Sequence, residues 1–225
     1  MSSDPLRIGI LASGSGTNLQ SIIDFCEEEK IHAKVVCVVS DNADARALTR
    51  AKEHGIDAVH VAFNSKKRQQ CDEKITAVFE ERDVGLVVGA GYMRLLCSEF
   101  VLHWKGRLIN IHPALLPSFK GVDAHGDALL YGVKISGCTT HFIDEKMDHG
   151  PIILQAAVPV FMQDSKESLA KRVLQAEHQI LPRTIDLFEK KRLSIEDRVV
   201  HIKAGDDSWK HRFPTLGDVL YSEGY

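Results

Sequence analysis

Short apolar runs alternate with amphipathic stretches over the first half of the chain. Five apolar runs predict buried strands, at 7–11, 35–39, 58–62, 86–90 and 107–111. Three stretches between them have apolar residues at helical spacing, at 19–29, 45–54 and 67–82. Strands that are apolar throughout, rather than at alternate positions, are covered on both faces. The pattern therefore predicts an α/β fold with a mostly parallel sheet and helices on both faces.

The pattern changes after residue 113. A loop at 113–121 and a short helix at 124–131 precede two longer strands, 136–143 and 152–160. These two strands are predicted to be antiparallel, which makes the C-terminal portion of the sheet mixed. A long amphipathic helix follows at 169–188, and Pro182 is predicted to interrupt it.

The C-terminal region carries weaker signals. A weak strand pair begins at residue 193, and an irregular segment with Trp209 and Phe213 follows it. The sequence contains no internal repeat, low-complexity block or linker. We therefore expect one domain over 1–225, with an N-terminal half (1–113), a C-terminal half (114–202) and a tail of unknown role (203–225).

Composition narrows the class of protein. The chain is 44% hydrophobic, and no apolar stretch approaches the ~20 residues that cross a bilayer. The segment before the first predicted strand is short and polar, unlike a signal peptide. We therefore expect a cytoplasmic protein that does not associate with membranes. A net charge of −3 provides no general attraction to nucleic acid. The five cysteines form no C-x-x-C pair, which favours reduced, buried thiols.

A glycine-containing loop connects the first predicted strand to the first helix. It reads Ala-Ser-Gly-Ser-Gly-Thr-Asn over residues 12–18. Backbone N–H groups and the positive end of a helix macrodipole hold anions at such a position, which predicts a phosphate site. Leu19 occupies the third glycine position of a dinucleotide fingerprint, so that motif is incomplete. The alternative is an ordinary tight turn capped by Thr17 or Asn18.

Two polar side chains end the fifth predicted strand. Asn110 and His112 are two residues apart, so the period of a strand directs both to one face. Open α/β sheets bind ligands at the carboxyl ends of their strands. The pair therefore predicts a polar site there, although a histidine beside Pro113 also suits a structural role.

An acidic connection joins the two later strands. It carries Asp144, Glu145 and Asp148, and most acidic loops are simply solvated. Asp148, at the foot of an apolar strand, is the one expected to point inward. The eleven histidines show no metal-binding spacing, so we expect no catalytic metal.

The combination of motifs resembles a known family. Gly-Ser-Gly-Thr-Asn, Asn-Ile-His-Pro-Ala-Leu-Leu-Pro and Asp-x-Gly-Pro-Ile-Ile-x-Gln occur in that order and at suitable separations. Together they resemble the phosphoribosylglycinamide formyltransferases, folate-dependent enzymes of purine synthesis, over residues 7–202. The resemblance implies the Rossmann-like formyltransferase fold, with 1–113 as the nucleotide-binding half. It also implies formyl transfer from 10-formyltetrahydrofolate, as co-substrate, to the amine of glycinamide ribonucleotide.

The resemblance also implies residue roles. Asn110, His112 and Asp148 correspond to the catalytic trio, Asn110 being a folate contact as well. The substrate contacts would be Gly14, Ser15, Gly16, Thr17, Asn18 and Glu177. The remaining folate contacts would be Arg68, Met93, Arg94, Leu95, Leu96, Ile143 and Asp144. From the residues alone, Leu95 and Leu96 would be core and Arg68 a solvated charge.

Several readings stay open. A formyltetrahydrofolate deformylase or a methionyl-tRNA formyltransferase would use the same trio, and a non-catalytic nucleotide-binding module would need only the glycine loop. We expect small-molecule substrates, no nucleic acid partner, and a monomer or homodimer.

The chain departs from the best-known bacterial pattern of the family it resembles at four positions: Ala114, Asp123, Gly126 and His149.

Overall fold

The computed structural model describes residues 4–205 and 220–221. The strands are β1 (Leu6–Leu11), β2 (Ala33–Ser40), β3 (Asp57–His60), β4 (Leu86–Gly89), β5 (Leu108–His112), β6 (Ile135–Phe142), β7 (Ile152–Pro159), β8 (Leu193–Glu196), β9 (Val199–Ile202) and β10 (Leu220–Tyr221). The helices are α1 (Thr17–Glu27), α2 (Arg46–Glu53), α3 (Arg68–Glu80), α4 (Ser98–His103), α5 (Ala124–Tyr131) and α6 (Lys166–Glu189).

The chain divides into two compact units. The first comprises Met1–Asn110 and Ile143–Glu145, and the second comprises Ile111–Phe142 and Lys146–Tyr225. The sequence of β5 passes from one unit to the other after Asn110. The expectation of one domain over 1–225 stays a prediction.

The first unit contains a parallel sheet. Its strand order is β5-β4-β1-β2-β3, and every neighbouring pair is parallel. Because parallel neighbours require crossover connections, the helices α1 to α4 lie in the connections between strands. The predicted α/β fold with a mostly parallel sheet is confirmed, and α4 is a helix that the sequence pattern did not predict.

Aromatic packing forms part of the core of the first unit. Phe79 and Trp104 are almost completely buried, and their rings meet edge to face with centroids 6.0 Å apart. That geometry is one that aromatic pairs prefer. Phe79 ends the apolar face of α3, so this contact fixes α3 against the segment that follows α4.

The second unit contains the mixed part of the sheet. β6 and β7 pair in antiparallel fashion, and β10 is antiparallel to β7. The predicted mixed C-terminal portion is confirmed. β8 and β9 form a separate two-stranded hairpin, in agreement with the weak strand pair expected from residue 193.

Helix α6 runs through Pro182 without a break, so the predicted interruption is wrong. A proline inside a helix costs about 3 kcal/mol because its N–H is missing and its ring crowds the preceding turn. Ile180, Leu181, Ile185 and Leu187 are all buried around it, and their burial outweighs that cost.

Further expectations have mixed outcomes. The five cysteines are free thiols, but only Cys37, Cys71 and Cys138 are buried, whereas Cys26 and Cys97 are half-buried.

Strand β10 was not predicted. The segment expected to be irregular, with Trp209 and Phe213, lies outside the described residues. Among the residues that the structure describes, no helix is both long and apolar enough to cross a membrane.

Candidate active site

The glycine loop joins β1 to α1 in the first unit. Its backbone is held by three hydrogen bonds, from Ala12 N to Val39 O, from Ser13 N to Gly91 O and from Ala47 N to Gly14 O, each 3.0 to 3.1 Å long. Helix α1 begins after Gly16, which has a φ of 69°, and no side chain caps the helix. The side-chain cap expected in the alternative of an ordinary tight turn is therefore not found at the N-cap position of α1.

An uncapped helix start suits an anion. The first N–H groups of a helix have no partner inside the helix, and the macrodipole places partial positive charge there. Gly14 has open space where a side chain would lie, so an anion could approach the backbone closely. The loop retains the geometry expected of a phosphate site.

Arg50, which sequence reasoning missed, also holds this loop. Its Nε donates a hydrogen bond to the Ser15 carbonyl at 3.0 Å, and its Nη1 donates to Gln20 Oε1 at 2.9 Å. The guanidinium therefore adds positive charge beside the loop. No local motif marks Arg50, because it lies on α2, 35 residues after Ser15.

The segment after β4 contacts the glycine loop. The backbone N–H of Met93 donates to Ser13 Oγ at 2.8 Å. The side chains of Met93 and Leu95 are 61% and 52% exposed, whereas Leu96 packs against the core. Leu95 is therefore not a core residue, and Leu96 is at least partly one. Exposed apolar side chains beside polar backbone suit an aromatic ligand.

Arg94 is anchored in the same segment. Its Nε donates to Asp41 Oδ2 at 2.6 Å, and its guanidinium lies 4.9 Å from the ring centroid of Phe63. The Asp41 side chain is only 2% exposed, whereas that of Arg94 is 46% exposed. Arg94 is thus held on one side and accessible on the other.

The other residues predicted to contact folate are more scattered. Arg68 begins α3 and is exposed, which agrees with a solvated charge. Ile143 packs against the core, and its N–H donates to the Leu108 carbonyl at 3.0 Å. Asp144 is half-buried.

Asn110 lies on β5 opposite Gly89 of β4. A Cβ atom at Gly89 would approach Asn110 Oδ1 to 2.7 Å, so any side chain at residue 89 would displace the Asn110 amide. Because residue 89 has no side chain, there is room for the Asn110 amide beside it.

His112 and Asp148 form a buried pair in the second unit. His112 Nδ1 is 3.4 Å from Asp148 Oδ2, and their side chains are 4% and 12% exposed. His112 Nε2–H donates to the Phe119 carbonyl at 2.8 Å. With Nε2–H used in that bond, Nδ1 would direct a lone pair at the carboxylate unless a proton lies between the two groups. The geometry thus suits a pair that shares one proton.

Two further groups act on Asp148 and were missed in the sequence. The Gly121 N–H donates to Asp148 Oδ2 at 2.9 Å, and His141 Nε2 lies 3.9 Å from Oδ1. His141 is buried, and its Nδ1–H donates to the Phe142 carbonyl at 2.8 Å. A histidine within a strand that is predicted to be buried could have indicated this contact from the sequence.

Glu177 is a buried carboxylate on α6. The pKa of the neighbouring Cys138 thiol is raised well above its ordinary value, first by burial and then by the charge of Glu177. Burial of a carboxylate is costly unless the group is paired and hydrogen-bonded. Among the described residues, no group of three metal-ligating side chains is found.

Each unit therefore carries features of an enzyme. The first has a helix start suited to an anion, and the second has a buried histidine and carboxylate suited to proton transfer. The family model described as formyl transferase matches residues 6–185, and the chain belongs to this family.

Individual relatives agree with the family. The phosphoribosylglycinamide formyltransferase of Haemophilus influenzae is 40% identical over 197 residues, which are 87% of this chain and 93% of that protein. The trifunctional purine biosynthetic protein adenosine-3 of Gallus gallus is 39% identical over 208 residues, but the chain spans only 20% of its length.

Solved structures give the same result. Glycinamide ribonucleotide transformylase 1 from Symbiobacterium toebii has a TM-score of 0.87 and 46% identity, covering 90% of this chain and 96% of that one. A formyltetrahydrofolate deformylase from Pseudomonas syringae has a TM-score of 0.85 and 26% identity, covering 90% and 67%. The resemblance inferred from the motifs is confirmed.

Proposed function

We propose that the chain transfers the formyl group of 10-formyltetrahydrofolate to the amine of N1-(5-phospho-D-ribosyl)glycinamide. The products are the N2-formyl nucleotide and tetrahydrofolate, in purine (IMP) biosynthesis. The buried His112 and Asp148 pair is the observation that carries the proposal, because amine acylation requires proton transfer. Relatives with this activity are much closer in sequence than the deformylase.

The glycine loop is proposed to bind the phosphate of the nucleotide. Gly14, Ser15, Gly16, Thr17 and Asn18 would offer backbone N–H groups and the start of α1 to the phosphate dianion. Arg50 supports this role by holding the Ser15 carbonyl away from the anion. Glu177 would accept hydrogen bonds from the ribose hydroxyls.

The folate is proposed to contact the segment after β4. Met93 and Leu95 would cover its ring, Leu96 would support them, and Arg94 would offer the exposed part of its guanidinium. The polar and apolar edges of the pterin would contact Asn110, Ile143 and Asp144. The glutamate tail of the folate would contact Arg68.

The chemical step is a nucleophilic attack of the amine nitrogen on the formyl carbon. The C–N bond forms as the carbonyl π electrons move to oxygen, and the intermediate collapses by breaking the bond to folate N10. The Asn110 NH₂ would donate to the developing oxyanion, and protonated His112 would join it once its Nε2–H leaves the Phe119 carbonyl. Loss of one such donor typically costs ~10²–10³ in rate. Asp148 would take the proton from the attacking amine and pass it to folate N10 as that nitrogen leaves, so the carboxylate ends the cycle ionised again. No metal takes part in the proposed step.

The test is a spectrophotometric assay with 10-formyltetrahydrofolate, with and without the nucleotide, in the presence of a chelator. We expect release of tetrahydrofolate only with the nucleotide, together with formylated nucleotide. Release without the nucleotide would identify a deformylase, and nucleotide binding without reaction would identify a binding module.

Variants of the pair test the residue roles. His112→Ala and Asp148→Asn should each lower kcat by about 10²–10⁴ while nucleotide affinity changes little, because both groups act on the reacting atoms. Glu145→Gln, an exposed carboxylate on the same loop, is the matched control and should retain wild-type turnover. Near-normal turnover in both pair variants would contradict the assignment.

A further inference from the structure

The hairpin formed by β8 and β9 contacts the loop that carries Asp148. Glu196 pairs with Val199, so Asp197 and Arg198 form the two-residue turn between the strands. Arg198 Nη2 donates a hydrogen bond to the His149 carbonyl at 2.5 Å. This hairpin begins at Leu193, beyond the residues that the family model matches.

Arg198 also contacts the ring of His149. Its Nη1 lies 3.3 Å from Nδ1 and 3.2 Å from Nε2 of the imidazole. Because this nitrogen is almost equidistant from both ring nitrogens, the guanidinium lies against the ring as a whole. One side chain thus holds both the backbone and the side chain of the residue that follows Asp148.

Asp148 needs such support because of its backbone. The residues between β6 and β7 form no regular secondary structure, and Asp148 has a φ of 47°, in the left-handed region. This conformation costs a residue with a side chain about 1 kcal/mol or more, although aspartate adopts it more readily than most residues, so contacts around Asp148 help to keep it. The Gly121 N–H fixes the carboxylate, and Arg198 fixes the next peptide group.

We infer that Arg198 is a positioning residue, which holds the peptide after Asp148 so that the carboxylate stays directed at His112. The inference rests on the proposed function, because the benefit of this orientation lies in the reaction of the pair. The contact needs the fork of a guanidinium, since one donor binds the carbonyl while another faces the ring.

The experiment compares Arg198→Ala with Arg192→Ala. Arg192 lies at the base of the same hairpin and donates to the Lys203 carbonyl at 2.7 Å, so its variant perturbs the hairpin away from His149. We expect Arg198→Ala to lower kcat about tenfold with KM for both substrates within about twofold, since small displacements of reacting groups cost up to ~100-fold. Arg198→Lys should lie between wild type and Arg198→Ala, and Arg192→Ala should match wild type.

Hydrogen exchange provides a second measurement that does not depend on activity. Amides of residues 146–150 should exchange faster in Arg198→Ala than in wild type or Arg192→Ala. In an Asp148→Asn background, single-turnover rates should be the same with and without Arg198, because Arg198 acts through that carboxylate.

Equal kcat in Arg198→Ala and wild type would overturn the inference. So would an equal loss in Arg192→Ala, or an undiminished effect of Arg198→Ala in the Asp148→Asn background. If the wild-type chain itself shows no formyl transfer, the proposed function fails, and unchanged exchange in Arg198→Ala would separately overturn the role of Arg198 in holding the loop.

Discussion

At the scale of single residues, the surroundings of Asp148 decide its chemistry. One carboxylate oxygen faces His112 and accepts from the Gly121 N–H, and the other faces His141. The hydrogen bond from Gly121 holds the carboxylate in one orientation, while the carboxylate can still exchange a proton with a neighbour. His112 and His141 therefore have different proposed roles, since only His112 shares a proton with Asp148.

Replacing His141 tests that division. His141→Ala should lower kcat about tenfold, because Asp148 Oδ1 loses its neighbour and the carboxylate can rotate away from His112. The loss should be smaller than in His112→Ala. Steady-state kinetics measure both, and His103→Ala, at an exposed histidine that pairs with Glu80, is the control. A loss as large as in His112→Ala would give His141 a direct part in the reaction.

At the scale of elements, the junction of β1 and α1 depends on two glycines with different tasks. Gly16 has a φ of 69°, and a Cβ there would lie 2.7 Å from the Ala47 Cα atom. Gly14 has nothing within 4 Å of its missing Cβ. Gly16 is therefore required by the fold, whereas Gly14 leaves the loop open to a ligand.

The two alanine variants should separate these tasks. Gly16→Ala should lower the free energy of unfolding by at least about 1–2 kcal/mol, because the backbone is left-handed and the methyl group meets α2. Gly14→Ala should unfold like wild type but bind the nucleotide about tenfold more weakly, because its methyl group occupies the approach to the N–H groups. Urea titration and calorimetric binding measure the two effects. Normal nucleotide affinity in Gly14→Ala would argue against a phosphate at this loop.

The start of α6 is stabilised by an ion pair with little exposure. The Asp164 carboxylate accepts from both terminal nitrogens of Arg172, at 2.7 and 2.9 Å, and from Ser168 Oγ at 2.7 Å. These bonds, above all those from Arg172, hold the pKa of Asp164 below its ordinary value of 3.8. The folded state thus prefers the ionised carboxylate more strongly than the unfolded chain does.

The sign of this shift gives a pH dependence. A lowered folded-state pKa means that the stabilisation is complete above pH about 4 and is lost as the pH falls below that value. Asp164→Asn should therefore cost about 2 kcal/mol at pH 7, with a smaller difference from wild type at pH 3. Urea unfolding at both pH values measures this. A difference that stays constant with pH would mean that packing, rather than charge, explains the loss.

At the scale of the whole molecule, strand β5 links the two compact units along the chain. Leu108 to Asn110 belong to the first unit, and Ile111 and His112 to the second. Unfolding of either unit would remove part of the same strand. We therefore expect the chain to unfold as one cooperative domain.

Two core truncations test this cooperativity. Phe79→Ala in the first unit and Leu169→Ala in the second each remove a fully buried side chain and should cost about 3–4 kcal/mol. Both should move a single calorimetric transition to lower temperature, with equal calorimetric and van't Hoff enthalpies. Leu130→Ala, at a side chain that is 90% exposed, is the control. Two transitions, each sensitive to only one variant, would establish two domains.

The sequence by itself determined the fold class, and it predicted the candidate site residues. Apolar periodicity is a local property, so it identified most strands. The two-residue spacing of Asn110 and His112 predicts that both face one side of β5. The loop from Gly14 to Asn18 was recognisable because a glycine turn before a helix has only a few uses.

Only the tertiary structure decided the contacts between distant segments. Arg50 reaches Ser15 across 35 residues, and Arg198 reaches His149 across 49. Pro182 stays inside α6 because the residues around it are buried, which no local rule about proline includes. The physical reason is the same in each case: propensity and periodicity act within a segment, whereas hydrogen bonds and burial between segments depend on register and packing.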